Sequence, residues 1–464
     1  MNPLTSRTIN WLRVALVILV LFVHVHPDHN PHWLTMDNLA GQPLGWVIFS
    51  VIGTFINKFA FIAVPLFFAI SGYLFFQKLD SWSWSVWKQK IRSRVRTLLI
   101  PFIIFNVICA ISLLCLSLKN GGGWTLAGAY EGRWPLVGWL WNGVSYCQGW
   151  KNWLGMDMQL YYPLDVPLWF VRDLMVMLAL SPAIYWLISK GGAVYLGVIG
   201  IAYCLGVLCC APGFSTNALF FFSLGAFAAI RGIDPVEWSR KNIKWVLPVF
   251  MCFWIVASMI VTPGDAQPFE NLTFIFGIPI CFWIGGGFMA RRAVESNSLT
   301  TTLSTPTTPT PPTPKYDSTF ITGACFFVYC IHMVNFGNWN LLAWANQVGS
   351  QIFNLDNPAI ASIAYLAEIA LIMAAGTLIY WLLKRFLPRL SGIITGGRQQ
   401  PQILAEESSK CSANRGRREP IGRKTPTKRP IGTEKHTIYH NSDTVRAENI
   451  TKAPDRYRKH GYSP

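Results

Sequence analysis

The chain has 464 residues, 52% of them hydrophobic and only 13% charged, with a formal net charge of +17. Soluble domains average about 25% charged residues, so the composition excludes an ordinary soluble fold and points to a membrane protein. The basic excess sits between apolar runs and accompanies no nucleic-acid-reading motif; it marks topology and contact with anionic lipid, and no nucleic-acid partner is expected.

A hydrocarbon core needs about 20 apolar residues per helix. Ten segments qualify in chain order: residues 9–25, 46–76, 98–118, 168–189, 193–210, 215–230, 245–261, 274–290, 320–337 and 358–387. The first follows Arg7 and Arg13 as a signal peptide would. It ends in His24-Val25-His26-Pro27 without a small-residue cleavage site, so a retained helix is expected. The second is long, with a bend expected at Pro65. The loop after it holds Lys78, Lys88, Lys90, Arg92, Arg94 and Arg96. Lys190, then Arg231, Arg240, Lys241 and Lys244, then Arg291, Arg292 and Lys315 fall in the later even-numbered connections. Lys384, Arg385 and Arg389 open the C-terminal tail. The odd-numbered connections are poorer in Lys and Arg. Basic residues are retained on the cytoplasmic side, which predicts an all-α integral membrane bundle of about ten transmembrane helices with both termini cytoplasmic.

A membrane domain is expected over residues 1–390. Within it, residues 296–314 form a cytoplasmic Ser/Thr/Pro linker, and residues 391–464 form a basic, disordered cytoplasmic tail that binds anionic lipid or a partner. Most of the cysteines lie in apolar spans as small hydrophobes, and no Cys/His metal spacing occurs, so no metal is expected. Cys147, Cys209 and Cys210 stand on the external side, where a disulfide is one option. The external segment 120–166 is rich in tryptophan (Trp124, Trp134, Trp139, Trp141, Trp150, Trp153), suited either to stacking on sugars or to an interfacial belt.

Ionisable residues inside apolar spans carry the functional signal, because a mid-membrane Arg costs at least about 2.5–3.5 kcal/mol. Arg13 and His24 are eleven residues apart in the first span. That spacing puts them within about 20° of one direction and about 16 Å apart along a helix. Their alternative reading is snorkelling for Arg13 and an interfacial place for His24. Phe67-Phe68-Ala69-Ile70-Ser71-Gly72-Tyr73 offers Ser71 as a packing residue or a nucleophile. The run from Lys88 to Arg96 exceeds what orientation requires and suits a phosphate-rich donor. Arg172 and Asp173 follow Pro167-Leu168-Trp169-Phe170-Val171, where they either pair with other helices or orient a substrate or a histidine. His332, in Tyr329-Cys330-Ile331-His332, falls at a depth similar to that of His24; a lone apolar-helix histidine is otherwise a packing residue.

This ordered set resembles the acyltransferase 3 family of bacterial membrane acyltransferases over about residues 5–390. The resemblance implies a multi-pass enzyme of the bacterial inner membrane that O-acylates, most often O-acetylates, cell-envelope or secreted glycans or glycolipids. It implies acyl-CoA, acetyl-CoA first, as cytoplasmic co-substrate. By the resemblance His24 would be the catalytic histidine; on physical grounds, as a hypothesis, Asp173 would fix its tautomer and Arg172 or His332 would stabilise an oxyanion. Arg13, Lys90, Arg92, Arg94 and Arg96 would contact the donor; Trp169, Ser71 and Tyr329 would line the substrate site. The long Ser/Thr/Pro linker and the basic tail depart from the family pattern. The competing expectation is a glycan transporter or flippase, although no repeat between the halves is visible.

Overall fold

Each of the ten apolar runs, in its described part, lies on helix in a computed structural model of the protein. The structure describes residues 1–25, 38–77, 82–121, 140–142, 144–151, 157–206, 213–260, 263–303, 318–334 and 339–397. Helix α1 (Pro3–His24) starts at Asn2, whose side chain accepts from Leu4 N at 3.0 Å. The second run splits into α2 (Leu44–Ala60) and α3 (Ala63–Phe76). The break falls at Phe61 and Ile62, upstream of the expected bend, because Pro65 has no N–H for the Phe61 carbonyl and its ring crowds that oxygen.

Helix α4 (Trp84–Arg94) is capped by Ser83 Oγ, which accepts from Val86 N at 3.2 Å. A wide π-turn, Val95–Leu99, joins it to α5 (Ile100–Lys119). Pro101 explains this turn: it cannot donate to the Thr97 carbonyl, so the ladder is interrupted there. An antiparallel hairpin follows, β1 (Val144–Lys151) with β2 (Asp157–Tyr162), within the segment read as external. It was not legible as strand, and it departs from a purely helical fold.

A single 3₁₀ turn (Val166–Leu168) leads into α6 (Trp169–Ala179), then α7 (Ser181–Cys204). Gly192, at φ 52° and ψ −128°, breaks α7 where the fourth and fifth runs were expected to part. Only glycine adopts that conformation readily. The remaining helices are α8 (Thr216–Ile230), α9 (Pro235–Met259), α10 (Pro263–Leu303), α11 (Ser318–Ile331), α12 (Leu341–Ile352), α13 (Pro358–Phe386) and α14 (Pro388–Ile394). Among the described residues, seven helical stretches are long and apolar enough to cross a membrane, and α8 and α11 are shorter apolar helices. The chain is therefore a multi-pass membrane protein.

Two boundaries differ from expectation. Helix α10 continues to Leu303, into the expected linker; no proline falls between Pro279 and Pro306. Helix α14 orders the start of the expected tail: Ser391, Ile394 and Thr395 are buried. The tail beyond residue 397, the linker from residue 304 to 314, Cys209 and Cys210, and all the external tryptophans except Trp141 and Trp150 lie outside the described residues. Trp150 and Cys147 are on β1, where only the backbone is described.

Close helix contact positions the site. Gly72 on α3 and Gly225 on α8 face the opposite backbone so tightly that a Cβ would stand 2.1 Å from Phe222 O and 1.9 Å from Ala69 O, respectively. The start of α1 is tied to the start of α9, where Asp234 accepts from Thr5 Oγ1 at 2.6 and 2.8 Å as well as from Val236 N and Glu237 N. The far end of α1 is held at Phe22 O, which accepts from Asn57 Nδ2 and Tyr365 Oη, both at 3.4 Å. Lys58 on α2 pairs with Glu270 on α10.

Candidate active site

A cavity of about 410 Å³ opens between α1, α3, the α4–α5 junction, α6 and α11. Its size falls in the usual range for small-ligand sites, about 300–1,000 Å³. Phe67, Phe170 and Phe326 supply much of its apolar wall. Its charged lining is Arg13 from α1 and Arg94 from the end of α4, and no carboxylate lines it among the described residues. Among the described residues Arg13 makes one weak hydrogen bond, Nη1 to Asn10 Oδ1 at 3.4 Å. Two guanidinium groups in an apolar-walled space repel each other, and an anion relieves that repulsion.

The local fold explains why Arg94 reaches inward. Trp87 Nε1 donates to Ser181 Oγ at 3.1 Å, and Lys90 Nζ donates to Phe75 O and lies over the Phe75 ring at 5.2 Å. These contacts fix α4 against the bundle, and the π-turn presents Arg94, Thr97 and Leu98 to the cavity. Of the donor residues expected from sequence, Arg13 and Arg94 therefore meet. Lys90 is engaged with α3, and Arg92 and Arg96 are exposed, off the cavity wall.

Ser71 and Tyr329 line the same cavity, as does Cys325. Trp169 does not; its ring packs 6.4 Å from that of Phe68. Tyr329 Oη donates to Pro167 O, which holds α11 to the turn before α6. One turn further along, His332 is fully buried. Its Nδ1 donates to Tyr329 O at 2.9 Å, with Val328 O at 3.3 Å. That contact places the proton on Nδ1 and leaves Nε2 as a lone pair, and Nε2 has no hydrogen-bond partner among the described residues. The His24 ring lies 5.1 Å from the His332 ring, and the Tyr329 ring 6.3 Å from His332. The two imidazoles expected from sequence thus come together and adjoin the cavity through Tyr329.

Arg172 and Asp173 are placed differently from expectation. They pair with each other: Arg172 Nε and Nη2 both reach Asp173 Oδ1 at 3.0 Å, with both side chains buried. Arg172 Nη1 also donates to Trp141 O at 2.9 Å, and its guanidinium lies 5.9 Å from the Trp141 ring. Ser215 also hydrogen-bonds Asp173, so the carboxylate is held by its neighbours. Asp173 is therefore committed to Arg172 rather than to a histidine, and Arg172 to Asp173 and Trp141. His332, in the tautomer its carbonyl contacts select, accepts hydrogen bonds at Nε2 and does not donate to an oxyanion.

The sequence reading also missed two buried polar residues beside Tyr329. Asp165 is fully buried with neither carboxyl oxygen hydrogen-bonded among the described residues. Its backbone N donates at 3.0 Å to Asn106 Oδ1, and Asn106 is fully buried on α5. The available signals were a polar residue in the apolar third run and an acid just before Pro167-Leu168-Trp169.

The site is a basic, apolar-walled cavity inside a multi-pass helical bundle, with two imidazoles adjoining it through Tyr329. Residues 7–385 match the model of the acyltransferase-domain family, and the chain belongs to that family. It is similar to the succinoglycan biosynthesis protein ExoH of Rhizobium meliloti (strain 1021), with 25% identity over 412 residues, covering 88% of this chain and 96% of that protein. No solved structure matches the chain.

Proposed function

We propose that this acyltransferase moves an acyl group, acetyl in the first instance, from cytoplasmic acyl-CoA to a hydroxyl of an extracytoplasmic glycan in the bacterial inner membrane. The observation that carries this reading is the pairing of Arg13 and Arg94 in one cavity that no carboxylate lines among the described residues, beside the His24–His332 pair. The relative's role in succinoglycan biosynthesis supports a glycan as acceptor. The clustering of Lys and Arg in alternate connections supports ten crossings with both termini cytoplasmic and the basic tail on the donor side.

In this account the exposed Arg92 and Arg96 meet the nucleotide phosphates at the cytoplasmic mouth. The pantetheine arm enters past Arg94 and Arg13 and brings the thioester towards Ser71 and Tyr329. His24 takes the proton of the acceptor hydroxyl as its oxygen bonds to the acyl carbon. The C–S bond breaks, and the proton passes to the departing thiolate, so ester and free CoA thiol form without net proton release. General-base assistance of this kind is worth about 10²–10⁴-fold in rate.

The test uses purified protein in proteoliposomes with radiolabelled acetyl-CoA or succinyl-CoA and envelope glycan. Label is expected in glycan with wild type and not with His24→Ala. Glycan crossing the membrane while well-folded wild type consumes neither donor would favour a transporter instead.

A further inference from the structure

The last described helix, α14, ends against the turn that presents Arg94 to the cavity. It closes as a glycine cap in which Gly396 N donates to Ile393 O at 3.1 Å and Gly397 N to Gly392 O at 2.6 Å. Both glycines take the left-handed conformation, at φ 67° and 70°. Ser391, Ile394 and Thr395 form the buried face of this segment, and Thr395 Oγ1 donates to Ser391 O at 2.6 Å. Gly396 is buried and Gly397 exposed. A Cβ on Gly396 would stand 2.6 Å from Thr97 Cα, 2.8 Å from Thr97 O and 3.0 Å from Thr97 C, whereas one on Gly397 would meet nothing within 4 Å. Backbone therefore rests directly on backbone. Thr97 lies in the π-turn, at the peptide whose ladder bond Pro101 removes, and it lines the cavity. A helix whose ladder is interrupted takes its local course from what packs on it.

We infer that Gly396 is a positioning residue of the donor site: its backbone, seated on that of Thr97, sets how far the π-turn carries Arg94 and Thr97 into the cavity. The inference rests on the acyl-transfer reading of that cavity and extends it, since residues after α13 then take part in shaping the donor end. Trp87 and Lys90 anchor α4 upstream of Arg94, and the Gly396 seat holds the chain downstream of it. Close packing transmits a displacement rather than absorbing it, and here no side chain can rotate aside. A carbon and a carbonyl oxygen normally approach no closer than about 3.3 Å, so a methyl at Gly396 must part α14 and the π-turn by roughly 0.5–1 Å. Arg94 and Thr97 are one turn apart on a continuous helical stretch, so both move relative to Arg13 and the aromatic wall.

The experiment compares Gly396→Asn with Gly397→Asn in the full-length protein in proteoliposomes. Asn tolerates the left-handed conformation, so both variants should fold, and only the first brings a Cβ onto Thr97. The KM for acyl-CoA should rise at least about tenfold in Gly396→Asn, given that a misplacement of about 1 Å can cost on the order of 10²-fold, with acceptor KM unchanged. Gly397→Asn should stay within about threefold of wild type, as exposed substitutions do. A second readout needs no donor. In the background lacking Cys115 and Cys252, a membrane-permeant maleimide modifies Cys325 at a rate read from the mass of its peptide. That rate should change at least about threefold in Gly396→Asn and hold in Gly397→Asn. Equal acyl-CoA KM in the two variants would overturn the inference, as would an acceptor KM that rises as much as the acyl-CoA KM in Gly396→Asn. So would failure of Gly396→Asn and Gly396→Ala alike to fold, which would make the seat a support of the whole bundle. If wild type transfers no acyl group from either donor, the acyl-transfer reading fails, and the Cys325 rates alone decide whether the seat shapes the cavity.

Discussion

Replacing Gly72 or Gly225 with alanine tests the packing that shapes the cavity. The new methyl of Gly72→Ala would stand 2.1 Å from Phe222 O, and that of Gly225→Ala 1.9 Å from Ala69 O. A carbon and a carbonyl oxygen normally approach no closer than about 3.3 Å. Both obstacles are backbone atoms, so no side chain can rotate aside. α3 and α8 must separate by roughly 1 Å, an overpacking cost of about 1–3 kcal/mol or more. Because α3 also carries Phe67, Ser71 and Leu74 on the cavity wall, the shift reaches the reacting groups. A displacement of about 1 Å can cost on the order of 10²-fold in rate. Gly197→Ala and Gly287→Ala are the controls, since a Cβ there meets nothing within 4 Å. In detergent-solubilised protein, melting followed by tryptophan fluorescence should drop for the first pair and hold or rise for the second. Equal melting temperatures and activity in all four variants would refute the close-contact reasoning.

Further outcomes follow from the same geometry. Arg94→Ala should raise the KM for acyl-CoA by at least about tenfold, and Arg92→Ala, exposed and off the cavity wall, by much less; equal effects would argue against Arg94 as the inward cation. In a variant lacking the exposed Cys115 and Cys252, a membrane-permeant maleimide should modify Cys325 slowly, and acyl-CoA should slow it further; no protection would place the donor elsewhere. Thr5→Val removes the hydrogen bonds from α1 to Asp234, whose contacts to Val236 N and Glu237 N remain. A loss of about 1.5–3 kcal/mol is expected from this charge-assisted contact, read as a lower melting temperature.

Much of this arrangement was legible in the amino-acid sequence, and the rest failed for identifiable reasons. Apolar length alone located the helical runs, and ionisable residues within them pointed to Arg13, His24 and His332. The eleven-residue spacing of Arg13 and His24 fixed a shared helix face, and the structure puts Arg13 on the cavity wall and His24 against His332. Helix-to-helix partners were beyond reach. Adjacent Arg172 and Asp173 offered no sign that they would satisfy each other, and Lys90 none that it would turn to the Phe75 carbonyl. The basic run read as one cluster because sequence does not reveal that a π-turn, set by Pro101, sends Arg94 inward and leaves Arg92 and Arg96 outside. Asp165 escaped notice because a single acid beside an apolar run ordinarily marks a solvated boundary; its burial depends on Asn106, 59 positions earlier.

The most direct test of the central claim is mass spectrometry of envelope glycan from cells carrying wild type, His24→Ala or Arg13→Ala, with membrane levels of the protein matched. The account predicts an ester-linked acyl group on glycan from the wild type, its mass identifying the group, and its loss in both variants. Full retention of the ester with His24→Ala would contradict the account.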